Sequence, residues 1–415
     1  MDYRDTFQAE NILLTGASGV LGGRLAVELL SSTNAMVYCI SRGNDIEAAK
    51  EKILKVISVY DPQGKLVDEY WRLVPILGNM AEPHFAFDED DYNELAQSID
   101  LVFHCAANVS LMASYDKLKP INVDGTRRIV DFCLEAKAPL MFVSSYSVIG
   151  DQLYHECTLQ ENQLDIGQNF DELGYEQSKF EAESLIHKAS AEGLNWAIVR
   201  PGNIWGDSET GAYPLFETRV KGIYYEMIKS LIDTGYTYSS AEDFDVTPVD
   251  YVAKATLYIA FNIHKTVHKT FHLTNPNRVS FDQLVGCIRD NGYTIRKLDD
   301  EAYFSALYED RMVVEDIPYR STFTDLLSIF IEDDLTESGK WDTKEAVALL
   351  EKAGIRCPVA DNKLFSTYLN YAVERNLIPH VKDQKLAEIT EEMENKIFME
   401  HLYDEEFSGA AALAD

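Results

Sequence analysis

The sequence predicts an α/β fold built on a doubly wound parallel sheet, followed by a smaller and mostly helical C-terminal lobe. Two patterns in the first 200 residues predict it: short, wholly apolar runs alternate with amphipathic stretches, and a glycine-rich turn follows the first run. Strands of a parallel sheet are covered on both faces, so they read as continuous apolar runs rather than as an apolar/polar alternation. Repeated strand-helix alternation is the pattern of stacked strand-helix-strand units.

The predicted strands, in order, are NILLTG (11–16), AMVYCI (35–40), RLVPILG (72–78), IDLVFHCAA (99–107), PLMFVSS (139–145) and NWAIVRP (195–201). Helices are expected between them, for example at 20–30, 46–60 and 124–136, where apolar residues recur at helical spacing. KTFHLTN (269–275) reads as a further strand of the same sheet. After residue 275 helical stretches dominate, at 280–292, 343–354 and 362–376, with a charged amphipathic helix at 382–406 and a frayed GAAALAD end. The expected division is a nucleotide-binding domain over 1–275, from which 207–245 leaves to join a substrate lobe over 276–415.

A chain of 415 residues can bury a large core in two lobes. Its 37 Lys and Arg against 69 Asp and Glu give a net charge of −32, which repels nucleic acid and anionic membranes, so neither is an expected partner. An anionic ligand has to be caught by local groups. No apolar run approaches the roughly 20 residues that span a bilayer, and the acidic start MDYRDTFQAE does not resemble a signal peptide. The six cysteines form no C-x-x-C pair and the nine histidines no ligand cluster, so no metal is expected and a reduced, cytoplasmic setting fits best.

The turn Thr15-Gly16-Ala17-Ser18-Gly19-Val20-Leu21-Gly22 joins the first strand to the first helix. Gly16 suits a tight turn, Gly19 a close approach of backbone to a pyrophosphate, and Gly22 close helix-strand packing, with the helix N-terminus facing the anion. This is the dinucleotide loop of a Rossmann-type sheet, and Gly16, Ser18, Gly19, Val20 and Leu21 are its expected contacts. At the end of the second strand an enzyme using NAD usually carries an acid for the ribose. Here Ser41 and Arg42 stand instead, which suits a 2′-phosphate and points to NADPH. Lys52 is either a second phosphate contact or a solvated helix lysine. Asn79 and Met80, after the third strand, are expected beside the adenine, and Ala106 and Ala107, after the fourth, where the cofactor crosses the sheet edge; simple close packing would also explain the two alanines.

Tyr175 and Lys179 lie four residues apart in GYEQSKFEAE, one helical turn, so their side chains share a face. An ammonium held there favours tyrosinate and lowers the tyrosine pKa. Ser144 and Ser145, thirty residues before Tyr175, offer a hydroxyl for a substrate oxygen. Beside a hydride carrier these groups make a proton-transfer device.

With these residues the chain resembles the extended short-chain dehydrogenase/reductases, and within them the thioester reductases: terminal release domains of nonribosomal peptide and polyketide synthases and the reductase ends of carboxylic acid and α-aminoadipate reductases. The resemblance runs from about residue 10 to 275 and rests on HCAANVSLMASYDKLKPINVDGT (104–126), FVSSYSVIG (142–150), RPGNIWGDSETG (200–211) and DVTPVDYVAKA (245–255). Asn79 stands where the family often has Asp, and Ser110 where it often has Asn; the C-terminal third carries no matching motif.

The resemblance implies a carrier-protein phosphopantetheine thioester that enters between the lobes, hydride from NADPH, and release either as an aldehyde or, with a second hydride, as an alcohol. Tyr175 is then the proton donor, Lys179 the ribose ligand, and Ser145 the oxyanion donor, since it stands five residues before Gly150, the family's offset. Pro201, Gly202, Asn203 and Ile204 line the nicotinamide, and Arg200 is a structural cation. The chain is expected to be monomeric or a domain cut from a larger synthase. The alternatives are a fatty acyl-CoA reductase, a nucleotide-sugar epimerase or dehydratase, or a non-catalytic cofactor sensor or scaffold.

Overall fold

The structure, a computed structural model, describes residues 2–4, 9–110, 113–150, 158–215, 222–238, 243–298, 303, 312–314, 317–318 and 340–389. They group into two compact units: Met1–Pro214 with Asp245–Arg278 and Ser338–Val359, and Leu215–Phe244 with Val279–Glu337 and Ala360–Asp415.

The first unit is organised by seven parallel strands: β1 (Asn11–Thr15), β2 (Met36–Ser41), β3 (Leu73–Leu77), β4 (Leu101–His104), β5 (Leu140–Val143), β7 (Trp196–Pro201) and β12 (Lys269–Leu273). Their order is β12-β7-β5-β4-β1-β2-β3, so the chain reverses direction across the sheet between β1 and β4. This is the expected doubly wound arrangement, extended by β12 beyond β7. The pleat explains the unbroken apolar runs. Ile12 and Leu14 point into one layer, with α1 (Val20–Ser32), α2 (Ile46–Tyr60) and α8 (Val249–Phe261). Leu13 points into the other, with α3 (Glu89–Ser98), α5 (Asp124–Ala136) and α6 (Gly174–Ala189). Asp45 and Asp88 start α2 and α3 by accepting the backbone N–H groups of Ala48 and Asp91. The shorter α4 (Tyr115–Asn122) leads into α5, and α9 (Ile263–Thr266) connects α8 to β12. Beyond the sheet's end, β8 (Ile204–Trp205) pairs with β11 (Thr247–Pro248).

Two strands end earlier than the apolar pattern suggests. Residues 105–107 leave β4 because the N–H groups of Cys105 and Ala106 turn to the Thr15 hydroxyl, at 3.2 and 3.1 Å. Ser144 and Ser145 follow β5 as the start of a turn.

The segment Ser338–Val359 clusters with the first unit, although its helical pattern suggested the C-terminal lobe. Within it β17 (Lys340–Trp341) pairs with β6 (Thr158–Leu159). The buried Glu161 carboxylate accepts the N–H groups of Glu345 (2.7 Å), Ala346 (3.1 Å) and His272 (2.9 Å), tying the first turn of the helix Lys344–Glu351 (α11) to β12. Ala346 and Leu350 of that helix enter the sheet's core.

The second unit contains α7 (Ile223–Thr234), α10 (Phe281–Asp290) and α12 (Asn362–Glu374), and Tyr225 lies 6.1 and 6.0 Å from the rings of Tyr368 and Tyr371. Short strands complete it: β9 (Tyr236–Thr237) pairs with β14 (Arg296–Lys297), β10 (Asp243–Phe244) with β13 (Val279–Ser280), and β15 (Met312–Val314) with β16 (Ile317–Pro318) and β18 (Glu388–Ile389). The helix expected at 382–406 begins otherwise: Val381–Asp383 is a 3-10 turn and β18 a strand. Its remainder and the GAAALAD end lie outside the described residues. Among the described residues no helix is long and apolar enough to cross a membrane.

Candidate active site

The expected cofactor and catalytic residues come together at the carboxyl ends of the parallel strands, where open α/β sheets bind ligands. Gly16 follows β1 with φ +79°, and a Cβ there would lie 2.8 Å from the Ala106 nitrogen. A Cβ on Gly22 would lie 2.1 Å from the Gly16 carbonyl oxygen, so both positions exclude side chains. Ser18 and Gly19 are exposed, with Val20 and Leu21 opening α1. No side-chain hydrogen bond caps α1 and no acid stands in its first turn, which leaves its N-terminus suited to an anion.

A proton-ordered chain locks this loop to β4. The Thr15 hydroxyl accepts the N–H groups of Cys105 and Ala106 and lies 2.7 Å from His104 Nδ1. His104 Nε2 lies 3.1 Å from the Thr126 hydroxyl, which donates to the Asn122 carbonyl at 2.6 Å. The Thr126 proton is already engaged by Asn122, so His104 Nε2–H donates and Nδ1 accepts from Thr15. The ring is therefore neutral, in line with a pKa lowered to about 3 by burial and then by Lys179.

Arg42 is exposed on the loop after β2, and Lys52 donates to its backbone carbonyl at 2.8 Å, which ties Lys52 to that loop. Asn79 accepts from the Ala81 N–H through Oδ1, and the buried Met80 turns its carbonyl to Arg128 at 2.9 Å. Ala106 and Ala107 are half-buried after β4. Among the described residues no group of three or more His, Cys, Asp or Glu could hold a metal.

Ser145 caps the turn after β5, and its hydroxyl lies 2.7 Å from that of Ser147. Its hydroxyl is close enough to the Tyr175 phenol to lower that group's pKa. The neighbouring Ser144 is buried, with its N–H on the Val199 carbonyl. Burial and then the Glu176 carboxylate push the Tyr175 phenol up to about 12, with the Ser145 hydroxyl opposing. Here the sequence expectation needs correction, because Lys179 is not among the groups that shift this phenol. Its ammonium donates to the Val143 carbonyl at 2.7 Å and lies 4.4 Å over the Phe142 ring, and burial lowers its pKa to about 8. The phenol is protonated at neutral pH.

Several residues to which the sequence pattern gives no role brace this pair. Asn122 donates to the Ser178 hydroxyl at 2.9 Å, and Ser178 donates to the Tyr175 carbonyl at 2.7 Å. Asn122 also exchanges bonds with the Asn108 backbone, at 2.7 and 3.0 Å. Four residues beyond Lys179 along α6, Glu183 forms a fully buried ion pair with Arg200 at 2.7 Å. Arg200 also reaches the Gln163 carbonyl and His272 Nε2, at 2.8 and 3.0 Å. Arg200 is the buried cation of this pair, and Asn122, Ser178 and Glu183 lie on helices, where the apolar-strand pattern does not mark them. Pro201 ends β7, Gly202 and Asn203 link it to β8, and Ile204 opens β8; the buried Asp245 orders this link by accepting the Asn203 N–H at 2.6 Å.

A family model described as Male sterility protein, of an NAD-binding type, matches residues 14–256. A linear gramicidin synthase polypeptide of Brevibacillus parabrevis is 29% identical over 373 residues, covering 88% of this chain; the chain spans 7% of that protein's length. The terminal R domain from the myxalamid PKS-NRPS biosynthetic pathway superposes with a TM-score of 0.78 at 29% identity, over 90% of this chain and 93% of that one. A thiolation-reductase di-domain from an archaeal non-ribosomal peptide synthetase gives 0.73 at 25% identity, over 90% and 77%. The chain belongs to the NAD-binding family described as Male sterility protein, and its fold is that of terminal synthase reductase domains.

Proposed function

We propose that this chain is an NADPH-dependent reductase that releases a carrier-protein-bound phosphopantetheine thioester as an aldehyde. The observation that carries the reading is the placement of Ser145 directly after β5 and of Tyr175 and Lys179 one helical turn apart at the start of α6, with Lys179 donating to the β5 carbonyl of Val143, in the same unit as the side-chain-free Gly16 turn. The names of the similar proteins, a gramicidin synthase, a terminal R domain and a thiolation-reductase di-domain, support the carrier-bound substrate.

The residues fit a dinucleotide. The uncapped α1 N-terminus and the side-chain-free positions Gly16 and Gly22 suit the pyrophosphate. Arg42, steadied by Lys52, suits a 2′-phosphate and favours NADPH over NADH. The bound cofactor supplies a hydride. Tyr175 donates its phenolic proton to the oxygen that becomes negative as the thioester carbonyl is reduced, and Ser145 donates a second hydrogen bond there. Donors placed where charge develops stabilise the transition state more than the ground state. Lys179 would hold the ribose hydroxyls, and Pro201 to Ile204 would line the nicotinamide. The resulting hemithioacetal breaks its C–S bond, giving thiol and aldehyde. Leu215–Phe244, Val279–Glu337 and Ala360–Asp415 form the acyl-binding lobe in this reading.

The test loads a synthetic acyl- or peptidyl-pantetheine thioester with NADPH and follows absorbance at 340 nm with aldehyde trapping. Expected are NADPH oxidation and one trapped aldehyde per thiol released. An inert thioester alongside turnover of a nucleotide sugar would refute the reading.

A further inference from the structure

We infer that Tyr146 is a positioning residue that aims the Asn203 carboxamide, so that Asn203 orients the nicotinamide ring through that ring's own carboxamide. The inference rests on the reading of this site as nicotinamide-dependent. Tyr146 directly follows Ser145, and its hydroxyl donates to Asn203 Oδ1 at 2.8 Å. The Asn203 backbone is fixed by other groups: its N–H goes to Asp245 Oδ2 at 2.6 Å, and its carbonyl accepts the Thr247 N–H at 3.1 Å. Asp245 is fully buried and also accepts from the Thr247 hydroxyl and the Asn275 N–H, each at 2.8 Å. A Cβ on Gly202 would lie 2.1 Å from Asp245 Oδ2, so the loop seats on this carboxylate only with glycine there.

With the backbone held, the direction of the Asn203 amide is set by its side-chain torsions, and the Tyr146 hydroxyl sets those. An amide whose Oδ1 faces Tyr146 presents its Nδ2 hydrogens in one fixed direction. A primary carboxamide offers adjacent donor and acceptor atoms, so it is complementary to another carboxamide, the group that nicotinamide carries. Tyr146 is itself clamped: its carbonyl accepts the Trp341 indole N–H at 2.9 Å, and its ring stands edge-on to Trp341 at 4.8 Å. Arg278 covers that indole, 4.8 Å from its centroid. The residue after the oxyanion-donor serine is thereby coupled to the nicotinamide wall.

The experiment compares wild type, Tyr146→Phe, Asn203→Ala and the double variant. Tyr146→Phe keeps the ring against Trp341 and removes one hydroxyl; Asn203→Ala probes the same contact should the first variant not fold. Time-resolved fluorescence of bound NADPH reports how firmly the nicotinamide is held, independently of any thioester. Expected are an NADPH affinity lowered by up to about tenfold, the scale of one hydrogen bond, an equally shortened bound-state lifetime in all three variants, and no additional loss in the double variant, the non-additivity of groups acting as one unit. With thioester, kcat should fall about tenfold, as for loss of one hydrogen bond, and the isotope effect from C4-deuterated NADPH should rise. An unchanged lifetime in Tyr146→Phe and Asn203→Ala, or losses that multiply in the double variant, overturns the inference. Wild type that binds NADPH with a lengthened lifetime but ignores thioester refutes the proposed reaction, and the lifetime comparison still decides this contact. Wild type that binds no reduced dinucleotide overturns both.

Discussion

Replacing Glu183 by glutamine isolates the buried ion pair behind the catalytic helix. The side chains of Glu183 and Arg200 are both 0% exposed, and Arg200 reaches the carboxylate through Nε and Nη2 at 2.9 and 2.7 Å. Burial alone would raise the Glu183 pKa, but Arg200 outweighs it and the carboxyl stays below its ordinary value. Glutamine keeps the size and removes the charge, which leaves the Arg200 guanidinium on the Gln163 carbonyl and on His272. His272 is neutral, its pKa lowered to about 3 by burial and then by Arg200. Removing one partner of a buried pair costs about 3–5 kcal/mol, because the other charge is left uncompensated. At about 2 °C per kcal/mol for a unit of this size, the calorimetric midpoint should fall by about 6–10 °C at pH 7.5. Glu183→Met with Arg200→Met should recover most of the loss, since replacing both charges by packed apolar groups is often near neutral. The sign with pH follows from the depressed carboxyl: its stabilisation is present above the unfolded glutamate value and is lost as pH falls through the lower folded value. A drop under about 2 °C for Glu183→Gln would refute the reasoning.

Tyr175→Phe should lower thioester reduction by about 10²–10⁴-fold while NADPH still binds, measured by turnover and fluorescence titration; unaltered turnover would remove the phenol from the mechanism. Lys179 has a folded pKa of about 8, below its unfolded value, so its buried charge costs stability below pH 8 and that cost is relieved as pH rises toward the unfolded value. Wild type should therefore gain stability relative to Lys179→Met between about pH 8 and 10.5, by a few kcal/mol at most, in denaturant titrations; a flat difference would place the lysine at its ordinary pKa. Arg42→Ala should narrow the kcat/KM preference for NADPH over NADH by about tenfold or more, the scale of a charge-assisted bond; an unchanged ratio would exclude the phosphate contact.

The sequence by itself determined the sheet's strands, the glycine turn and the tyrosine-lysine face, because these depend on local period and on residues that tolerate special geometry. Ile12, Leu13 and Leu14 read as strand whatever they pack on, and Gly16 reads as a turn because no side chain fits. Tertiary structure decided which distant groups meet. Nothing local says that Glu161 binds N–H groups at 345 and 346, so the return of that helix to the first unit was not legible. The pattern also did not reveal that Lys179 turns to the Val143 carbonyl, since a carbonyl leaves no trace in sequence. The Tyr175 pKa was misjudged for the same reason: spacing gives proximity along a helix, while burial, set by the whole fold, governs the proton.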